Sequence, residues 1–365
     1  MIKILNVVGA RPNFMKIAPI QRAMGHYPDI KPVLVHTGQH YDERMSKFFF
    51  NDLQLPQPDI YLGVGSGTHA EQTAKIMIQF EKVLSREKPD LVIVVGDVNS
   101  TAACSMVAAK MNTKIAHVEA GLRSFDRTMP EEINRLVTDV LSDFLFVTEK
   151  SGLENLQREG IADSKVHFVG HVMIDSLIYF KPMAEKSTIL NDLNLQPQNY
   201  GVITLHRPSN VDNKENFEKL LNAFEHIEKR LPLIFPIHPR SQKMIDRFGL
   251  RAKVEKMKNL KLLEPLGYLD FMKLLHNAKL VLTDSGGIQE ETTYLGIPCI
   301  TMRENTERPI TIEVGTNVLV GTDTQRIIAE AEKVLDGKAK KGQIPELWDG
   351  HAAERIVKIL SEELS

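Results

Sequence analysis

Three carboxylates in the first half of the chain occupy positions suited to acid–base chemistry. Asp97 follows an apolar run that ends at Gly96, Glu119 ends the next apolar run, and Glu131 follows Pro130. A carboxylate at the end of a buried strand has little structural purpose, and carboxylates held close together favour protonation of at least one of them. Other interpretations stay open, because Asp97 also suits a helix N-cap, Glu131 suits the positive end of a helix, and carboxylates bind magnesium.

Basic side chains follow the first apolar run of the chain. Gly9 permits a tight turn and Pro12 suits the first turn of a helix, which places Arg11 and Lys16 at a helix start. A helix start is itself an anion-binding position. The segment predicts phosphate or carboxylate binding about as strongly as it predicts a solvated basic pair beside a strand–helix turn.

The strongest local pattern lies between Thr283 and Glu291. An apolar run leads into Ser285, Gly286 and Gly287, after which a helical pattern begins. Glycines here let backbone N–H groups approach a phosphate, and Glu291, further along the helix, is placed to reach ribose hydroxyls. The glycine spacing typical of dinucleotide-binding folds is absent. The alternative is an ordinary strand–helix turn.

Further candidate ligand-binding side chains occur in the second half of the chain. His206 and Arg207 end an apolar run and can both donate to a phosphate, although a surface loop is the alternative. Arg303 and Arg308 follow another strand-like run and would add positive charge. Phe271 could stack on a base, and a place in the core is the plainer interpretation.

Short runs rich in valine and isoleucine alternate with helical patterns twice along the chain, which predicts an α/β fold with parallel sheets. We expect two doubly wound Rossmann-like domains facing an interdomain cleft: residues 1–172, and residues 173–350 for the nucleotide. A final helix, about 351–365, either docks locally or crosses back to the first domain. In such sheets ligands bind beyond the carboxyl ends of the strands, so the candidate side chains belong at those ends.

Composition excludes several classes of protein. The net charge is −2, which does not suggest nucleic acid or an anionic membrane surface as a partner. The two cysteines are far apart and form no metal-binding pattern, so neither a zinc site nor a disulfide framework is expected. Neither a signal-type stretch nor a long apolar run occurs, and we expect a cytoplasmic protein.

Taken together, these segments resemble the non-hydrolysing UDP-N-acetylglucosamine 2-epimerases, whose fold is of the GT-B type. The resemblance extends from Gly9 to Pro309, and its most specific parts are Val118–Arg123, Pro130–Arg135 and Asp284–Glu291. It implies reversible C2 epimerisation of UDP-N-acetylglucosamine to UDP-N-acetylmannosamine. UDP leaves by anti elimination through 2-acetamidoglucal and then adds back, without metal or other cofactor. The resemblance also implies a homodimer.

The resemblance also implies roles for individual residues. Asp97, Glu119 and Glu131 are the expected acid–base carboxylates, and His206 is expected to assist departure of UDP. The remaining expected substrate contacts are Arg11, Lys16, Arg135, Phe271, Ser285, Gly286, Gly287, Glu291 and Arg308.

The chain departs from the pattern of bacterial relatives at several positions. His171 follows Gly170 where asparagine is usual. Pro208 and Ser209 precede Asn210 where many bacterial relatives have arginine and glutamate. Tyr41 and Asp42 follow Gln39 and His40, and no arginine precedes Gln72. The resemblance associates all of these segments except His171 with a second, activating UDP-N-acetylglucosamine site, which is therefore not expected to carry over unchanged.

Three other functions compete with the epimerase. A hydrolysing relative would release N-acetylmannosamine and UDP, and a GT-B glycosyltransferase would need an acceptor groove and only one base. A UDP-sugar sensor belongs to a different class and would need no cleft carboxylates, yet Asp97, Glu119 and Glu131 are all present.

Overall fold

The structure is a computed structural model that describes residues 1–39 and 57–365. The chain forms two units: unit 1 comprises Met1–Tyr179 with Glu346–Ser365, and unit 2 comprises Phe180–Pro345. The helix Val172–Ala184 contains both the division between the units and the boundary predicted at 172/173.

Unit 1 is built on a parallel sheet in the order β3-β2-β1-β4-β5-β6-β7. The strands are β1 Ile2–Val8, β2 Ile30–His36, β3 Ile60–Tyr61, β4 Leu91–Val95, β5 Lys114–Ala120, β6 Phe144–Val147 and β7 Val166–Phe168. Every residue of β4 is buried, as expected for a central parallel strand covered by helices on both faces.

Helices connect these strands. They are α1 Arg11–Met24, α2 His69–Glu87, α3 Asn99–Lys110, α4 Pro130–Leu141, α5 Lys150–Arg158 and α6 Val172–Ala184, with a short 3₁₀ turn at Asp163–Lys165. The start of α2 is fixed by a capping box, in which the Thr68 hydroxyl accepts from the Glu71 backbone N–H at 3.2 Å.

Unit 2 contains a second parallel sheet, in the order β10-β9-β8-β11-β12-β13. Its strands are β8 Gly201–Thr204, β9 Leu233–Pro236, β10 Leu260–Leu263, β11 Leu280–Thr283, β12 Cys299–Thr301 and β13 Asn317–Leu319. Its helices are α7 Ile189–Asp192, α8 Pro208–Val211, α9 Lys214–Ile227, α10 Pro239–Arg247, α11 Arg251–Lys256, α12 Tyr268–His276, α13 Gly286–Leu295, α14 Ile310–Glu313 and α15 Thr324–Leu335.

The last helix, α16 Ala352–Glu363, belongs to unit 1 and packs against α1. The Asp175 carboxylate on α6 accepts from the backbone N–H groups of Ala352 at 3.3 Å and Ala353 at 2.7 Å. This arrangement satisfies N–H groups that the first turn of a helix otherwise leaves without partners.

Both sheets have the doubly wound order, and the α/β fold class predicted from the sequence is confirmed. The direction of winding reverses between β1 and β4 in unit 1, and between β8 and β11 in unit 2. Ligands of such sheets bind beyond the carboxyl ends of the strands at that reversal. Over residues 1–39 and 57–365, no helix has the length and apolar character needed to cross a membrane.

Candidate active site

Glu119 adopts a strained backbone conformation at the carboxyl end of β5. Its φ is +72°, in the left-handed region that side chains other than glycine seldom enter, and the pairing of β5 with β6 shifts register between Val118 and Ala120. Such a bulge re-aims a side chain. The strain costs about 1–3 kcal/mol and is concentrated at functional sites in proteins. The backbone therefore singles out Glu119 among the predicted carboxylates.

Lys16 on α1 pairs with Glu119. Lys16 Nζ contacts Glu119 Oε2, and the side chains are only 7% and 3% exposed. Gly96 makes room for this pair, because a Cβ there would lie 2.9 Å from Lys16 Nζ and 3.5 Å from Glu119 Oε2. The residue before Asp97 therefore lies against the Lys16–Glu119 pair. The structure brings these predicted residues together at the winding reversal of unit 1.

Asn13 ties the turn after β1 to the end of β4. Its side-chain oxygen accepts from the backbone N–H groups of Gly9 at 3.1 Å and Ala10 at 3.0 Å, and its Nδ2 donates to the Val95 carbonyl at 3.0 Å. This contact holds the start of α1, and hence Lys16, beside the turn that carries Asp97. Arg11 begins α1, but its side chain lies outside what the structure describes.

Asp97 is held by Arg135 on α4. Arg135 Nη1 donates to Asp97 Oδ2 at 2.5 Å, and Nη2 donates to Glu132 Oε2 at 2.5 Å. Glu132 also accepts from the backbone N–H groups of Ser124 and Phe125, each at 2.9 Å. Burial would raise the pKa of Glu132, but the Ser124 N–H and the Arg135 guanidinium outweigh it and hold that pKa below its usual value.

Glu131 differs from the other two predicted carboxylates. It lies half-buried in the first turn of α4, and its side chain forms no hydrogen bond or ion pair with any residue in 1–39 or 57–365. Its neighbour Glu132 is the carboxylate that α4 buries. Glu119 pairs with Lys16 and Asp97 pairs with Arg135, so these carboxylates are neutralised by cations and do not repel each other as the sequence led us to expect. Glu131 is left available to solvent or to a ligand.

A buried network under the site was not predicted. The His117 ring lies between two acceptors, with Nδ1 2.6 Å from Asp139 Oδ1 and Nε2 2.8 Å from the Gly96 carbonyl oxygen. Asp139 Oδ2 accepts from the Gly121 N–H at 3.0 Å and pairs with Arg123 at 2.7 Å. Burial would raise the pKa of Asp139, but His117 and Arg123 outweigh it and lower that pKa. The network fixes the backbone on either side of β5's end.

In unit 2, Asp284 organises the loop that carries His206. The buried Asp284 carboxylate accepts from the backbone N–H groups of His206 at 3.0 Å and Arg207 at 2.8 Å, and from Asn210 Nδ2 at 3.2 Å. His206 Nδ1 lies 3.0 Å from Asp284 Oδ1, which directs Nε2 of this 41%-exposed ring outward. Burial would raise the pKa of Asp284, but these donors, led by His206, hold it below its usual value.

Ser285, Gly286 and Gly287 form the start of α13, as the sequence predicts. The Ser285 side chain does not cap the helix, so the first N–H groups of α13 are not satisfied by it. A Cβ on Gly287 would meet no atom within 4 Å, which leaves open space over this backbone. A Cβ on Gly286 would lie 2.7 Å from Arg308 Nη1. The arrangement suits a phosphate at the winding reversal of unit 2.

A cluster of arginines and glutamates surrounds this helix start. Arg308 donates to Glu290 and Glu307, Arg303 donates to Glu307 at 2.8 Å, and Arg207 Nη2 lies 3.7 Å from Glu307. Burial would raise the pKa of Glu307, but Arg308, Arg303 and Arg207 outweigh it and hold that pKa well below its usual range. Three guanidinium groups are thus gathered beside Glu290, Glu307 and the Asp284 carboxylate at the start of α13, and guanidinium groups are suited to binding a phosphate.

Phe271 and Glu291, the predicted base and ribose neighbours, lie on helices of unit 2. Phe271 is half-buried on α12 and packs against the apolar cluster that includes Tyr200 and Leu274. Glu291 is 6% exposed, one helical turn after Gly287. Neither position in itself identifies a nucleotide contact, so both roles stay predictions.

Gln39 and Gln72, which stand next to two of the departures from the bacterial pattern, have structural roles. Gln72 Oε1 accepts from Asn99 at 2.8 Å, and its Nε2 donates to the Gln39 carbonyl at 3.1 Å. Gln39 Oε1 accepts from the Ser100 N–H at 2.9 Å. The neighbouring residues 40–42 lie outside the described residues.

Comparison with known proteins gives one consistent result. Residues 22–361 match the family model described as UDP-N-acetylglucosamine 2-epimerase. The chain is 46% identical to the UDP-N-acetylglucosamine 2-epimerase of Methanocaldococcus jannaschii over 99% of both chains. It is 39% identical to the UDP-2,3-diacetamido-2,3-dideoxy-D-glucuronate 2-epimerase of Pseudomonas aeruginosa, over 99% of this chain and all of that one. The crystal structure of the M. jannaschii enzyme in complex with UDP-GlcNAc and UDP superposes with a TM-score of 0.92 at 45% identity, covering 99% of this chain and 100% of that one.

Proposed function

The chain belongs to the UDP-N-acetylglucosamine 2-epimerase family, and on that premise we propose that it interconverts UDP-N-acetylglucosamine and UDP-N-acetylmannosamine without net hydrolysis. The observation that carries this proposal is the strained, buried Glu119 paired with Lys16 at the winding reversal of unit 1. A carboxylate fixed in this way is suited to removing a weakly acidic C–H proton.

The proposed reaction is an elimination followed by an addition. A carboxylate takes the C2 proton, the C2–H electron pair forms the C1–C2 double bond, and the C1–O bond breaks with its electrons leaving on UDP. The intermediate is 2-acetamidoglucal beside UDP. UDP then adds back at C1 while a carboxylic acid delivers a proton to the other face of C2.

Unit 1 supplies the proton-transfer groups in this proposal. Asp97, Glu119 and Glu131 are the acid–base carboxylates, with Glu119 and Asp97 held by Lys16 and Arg135. Two carboxylates are needed because the proton leaves one face of C2 and returns to the other. The reaction requires neither a metal nor a nicotinamide.

Unit 2 binds UDP in this proposal and stabilises its departure. The α13 backbone at Ser285–Gly287 and the guanidinium groups near Arg308 receive the diphosphate, and His206 Nε2 donates to the leaving phosphate. Phe271 and Glu291 contact the uridine. The Asp284 carboxylate accepts from the Nδ1–H of His206 and so favours the tautomer with its proton on Nδ1.

The experiment that tests this function is proton NMR of the purified protein with UDP-N-acetylglucosamine in D₂O. We expect a new UDP-linked N-acetylmannosamine anomeric signal and deuterium at C2 of both sugars. Free N-acetylmannosamine with an equal amount of UDP would instead indicate a hydrolysing enzyme. If the protein leaves this sugar unchanged but turns over the diacetamido-glucuronate sugar for which the P. aeruginosa relative is named, the substrate is that sugar and the proposed reaction stays the same.

A further inference from the structure

His171 is a buried residue to which none of the roles above applies. It lies between β7 and α6 and is fully buried. The C-terminal segment covers it: a Cβ on Gly170 would lie 2.0 Å from the Leu347 carbonyl oxygen, and the Trp348 ring meets the His171 ring edge-on at 5.1 Å. Trp348 Nε1 donates to the Thr148 carbonyl at 3.1 Å, which fixes the indole.

One contact of His171 is a structural one that asparagine would also make. The Met173 backbone N–H donates to His171 Nδ1 at 3.2 Å, so the imidazole caps the start of α6. Asparagine is among the best residues at such a position because its side-chain oxygen accepts the same bond. Capping therefore does not explain why this chain has histidine.

The second ring nitrogen, Nε2, distinguishes histidine from asparagine at this position. Because Nδ1 accepts a hydrogen bond, the proton of the neutral ring is on Nε2. His171 Nε2 lies 3.9 Å from Glu119 Oε1. That oxygen is buried and accepts no hydrogen bond from the described residues, whereas Lys16 contacts Oε2. A shift of about 1 Å would make an Nε2–H···Oε1 hydrogen bond.

We propose that His171 is a positioning residue for Glu119, with its Nε2–H directing the Oε1 side of the carboxylate while Lys16 holds the Oε2 side. Held at both oxygens, the carboxylate keeps one orientation towards the C2 proton. An asparagine at this position would cap α6 but would end short of Glu119. The proposal rests on the proposed role of Glu119 as an acid–base residue.

The other charged groups of unit 1 around this pair are Lys16 on α1, Asp175 on α6, and the Asp97–Arg135 pair beyond Gly96. Asp175 is held by the N–H groups at the start of α16 and keeps that anchorage when His171 is replaced. Replacement of His171 removes one electrostatic interaction with Asp175 but leaves its hydrogen bonds to the start of α16 in place.

The test compares His171→Asn with His171→Gln, whose longer amide restores a donor near the Nε2 position, and with His351→Asn, an exposed control in the same unit. We expect His171→Asn to melt within a few degrees of the wild type. Its kcat should fall about 10-fold with little change in KM. His171→Gln should recover most of that loss. An active wild type with an unchanged kcat in His171→Asn would overturn the proposal without affecting the proposed function.

A second measurement is independent of turnover. Imidazole ¹⁵N shifts of the histidine-labelled protein, assigned by loss of the signal in His171→Asn, should place the proton on Nε2, and Glu119→Gln should move that resonance. A proton on Nδ1, or no response to Glu119→Gln, would contradict the proposal even if the enzyme acted on a different sugar.

Discussion

Replacing Asp284 by asparagine should damage unit 2 far more than its conservative chemistry suggests. The carboxylate receives four donors: the backbone N–H groups of His206 and Arg207, His206 Nδ1, and Asn210 Nδ2, at 2.8–3.2 Å. An asparagine offers one oxygen, and its NH₂ group points at the remaining donors. With that oxygen on the Oδ2 side, three donors keep an acceptor that has lost its charge, and His206 Nδ1 faces the NH₂ group, so the free energy of unfolding should fall by about 1–3 kcal/mol.

The same substitution should reduce turnover. Without Asp284 the Nδ1–H tautomer of His206 is no longer favoured, and donation from Nε2 to the departing phosphate is lost in part. Loss of one such donor lowers kcat by about 10²–10³-fold. Urea unfolding, UDP calorimetry and initial rates measure the three effects separately on one preparation.

Asp212→Asn is the matched control. Asp212 pairs with Arg240 on the surface of the same unit, where the side chains are 35% and 42% exposed. Such a pair contributes about 0–1 kcal/mol. If Asp284→Asn unfolds within 1 kcal/mol of this control and keeps the wild-type kcat, the argument that Asp284 organises the loop is wrong.

Other expected outcomes follow from single contacts. Burial lowers the pKa of His36 from 6.5 to about 4. Below pH 6.5 the unfolded chain therefore binds more protons than the folded protein, and the free energy of unfolding decreases as the pH is lowered. Between pH 7 and pH 5 the free energy of unfolding, measured by urea titration, should decrease by about 2 kcal/mol less in His36→Leu than in the wild type. The same pH dependence in both proteins would contradict this. Gly287→Ala, with open space at its Cβ, should fold normally but bind UDP more weakly by calorimetry, whereas Gly286→Ala should itself destabilise. EDTA should leave the rate unchanged, because Lys16 and Arg135 already neutralise Glu119 and Asp97; full loss that Mg²⁺ restores would favour a metal site.

The central strands were predictable from the sequence, and the short strands at the edges of the first sheet were not. β4 and β11 belong to continuous, largely apolar runs, and all their residues are buried. β3 and β7 have only two and three residues and are not fully buried. Segments of that length show no periodicity, and their pairing depends on the strand beside them.

The types of residue in the site were predictable, but their partners were not. Lys16 and Glu119 are 103 residues apart, and only the fold brings them together. Glu131 and Glu132 look equivalent in sequence, yet the spacing of three from Glu132 to Arg135 was a usable signal for the buried pair. Asp284 was recognised only as part of a glycine motif, since the loop it organises begins 78 residues earlier.

The most direct test of the central claim compares Glu119→Gln with the wild type in two measurements on one sample. Exchange of the C2 proton of UDP-N-acetylglucosamine with D₂O should fall at least about 10²-fold, because general acid–base catalysis contributes about 10²–10⁴-fold. UDP affinity should stay within about threefold, because the diphosphate contacts belong to unit 2. C2 exchange at the wild-type rate in Glu119→Gln would contradict the account.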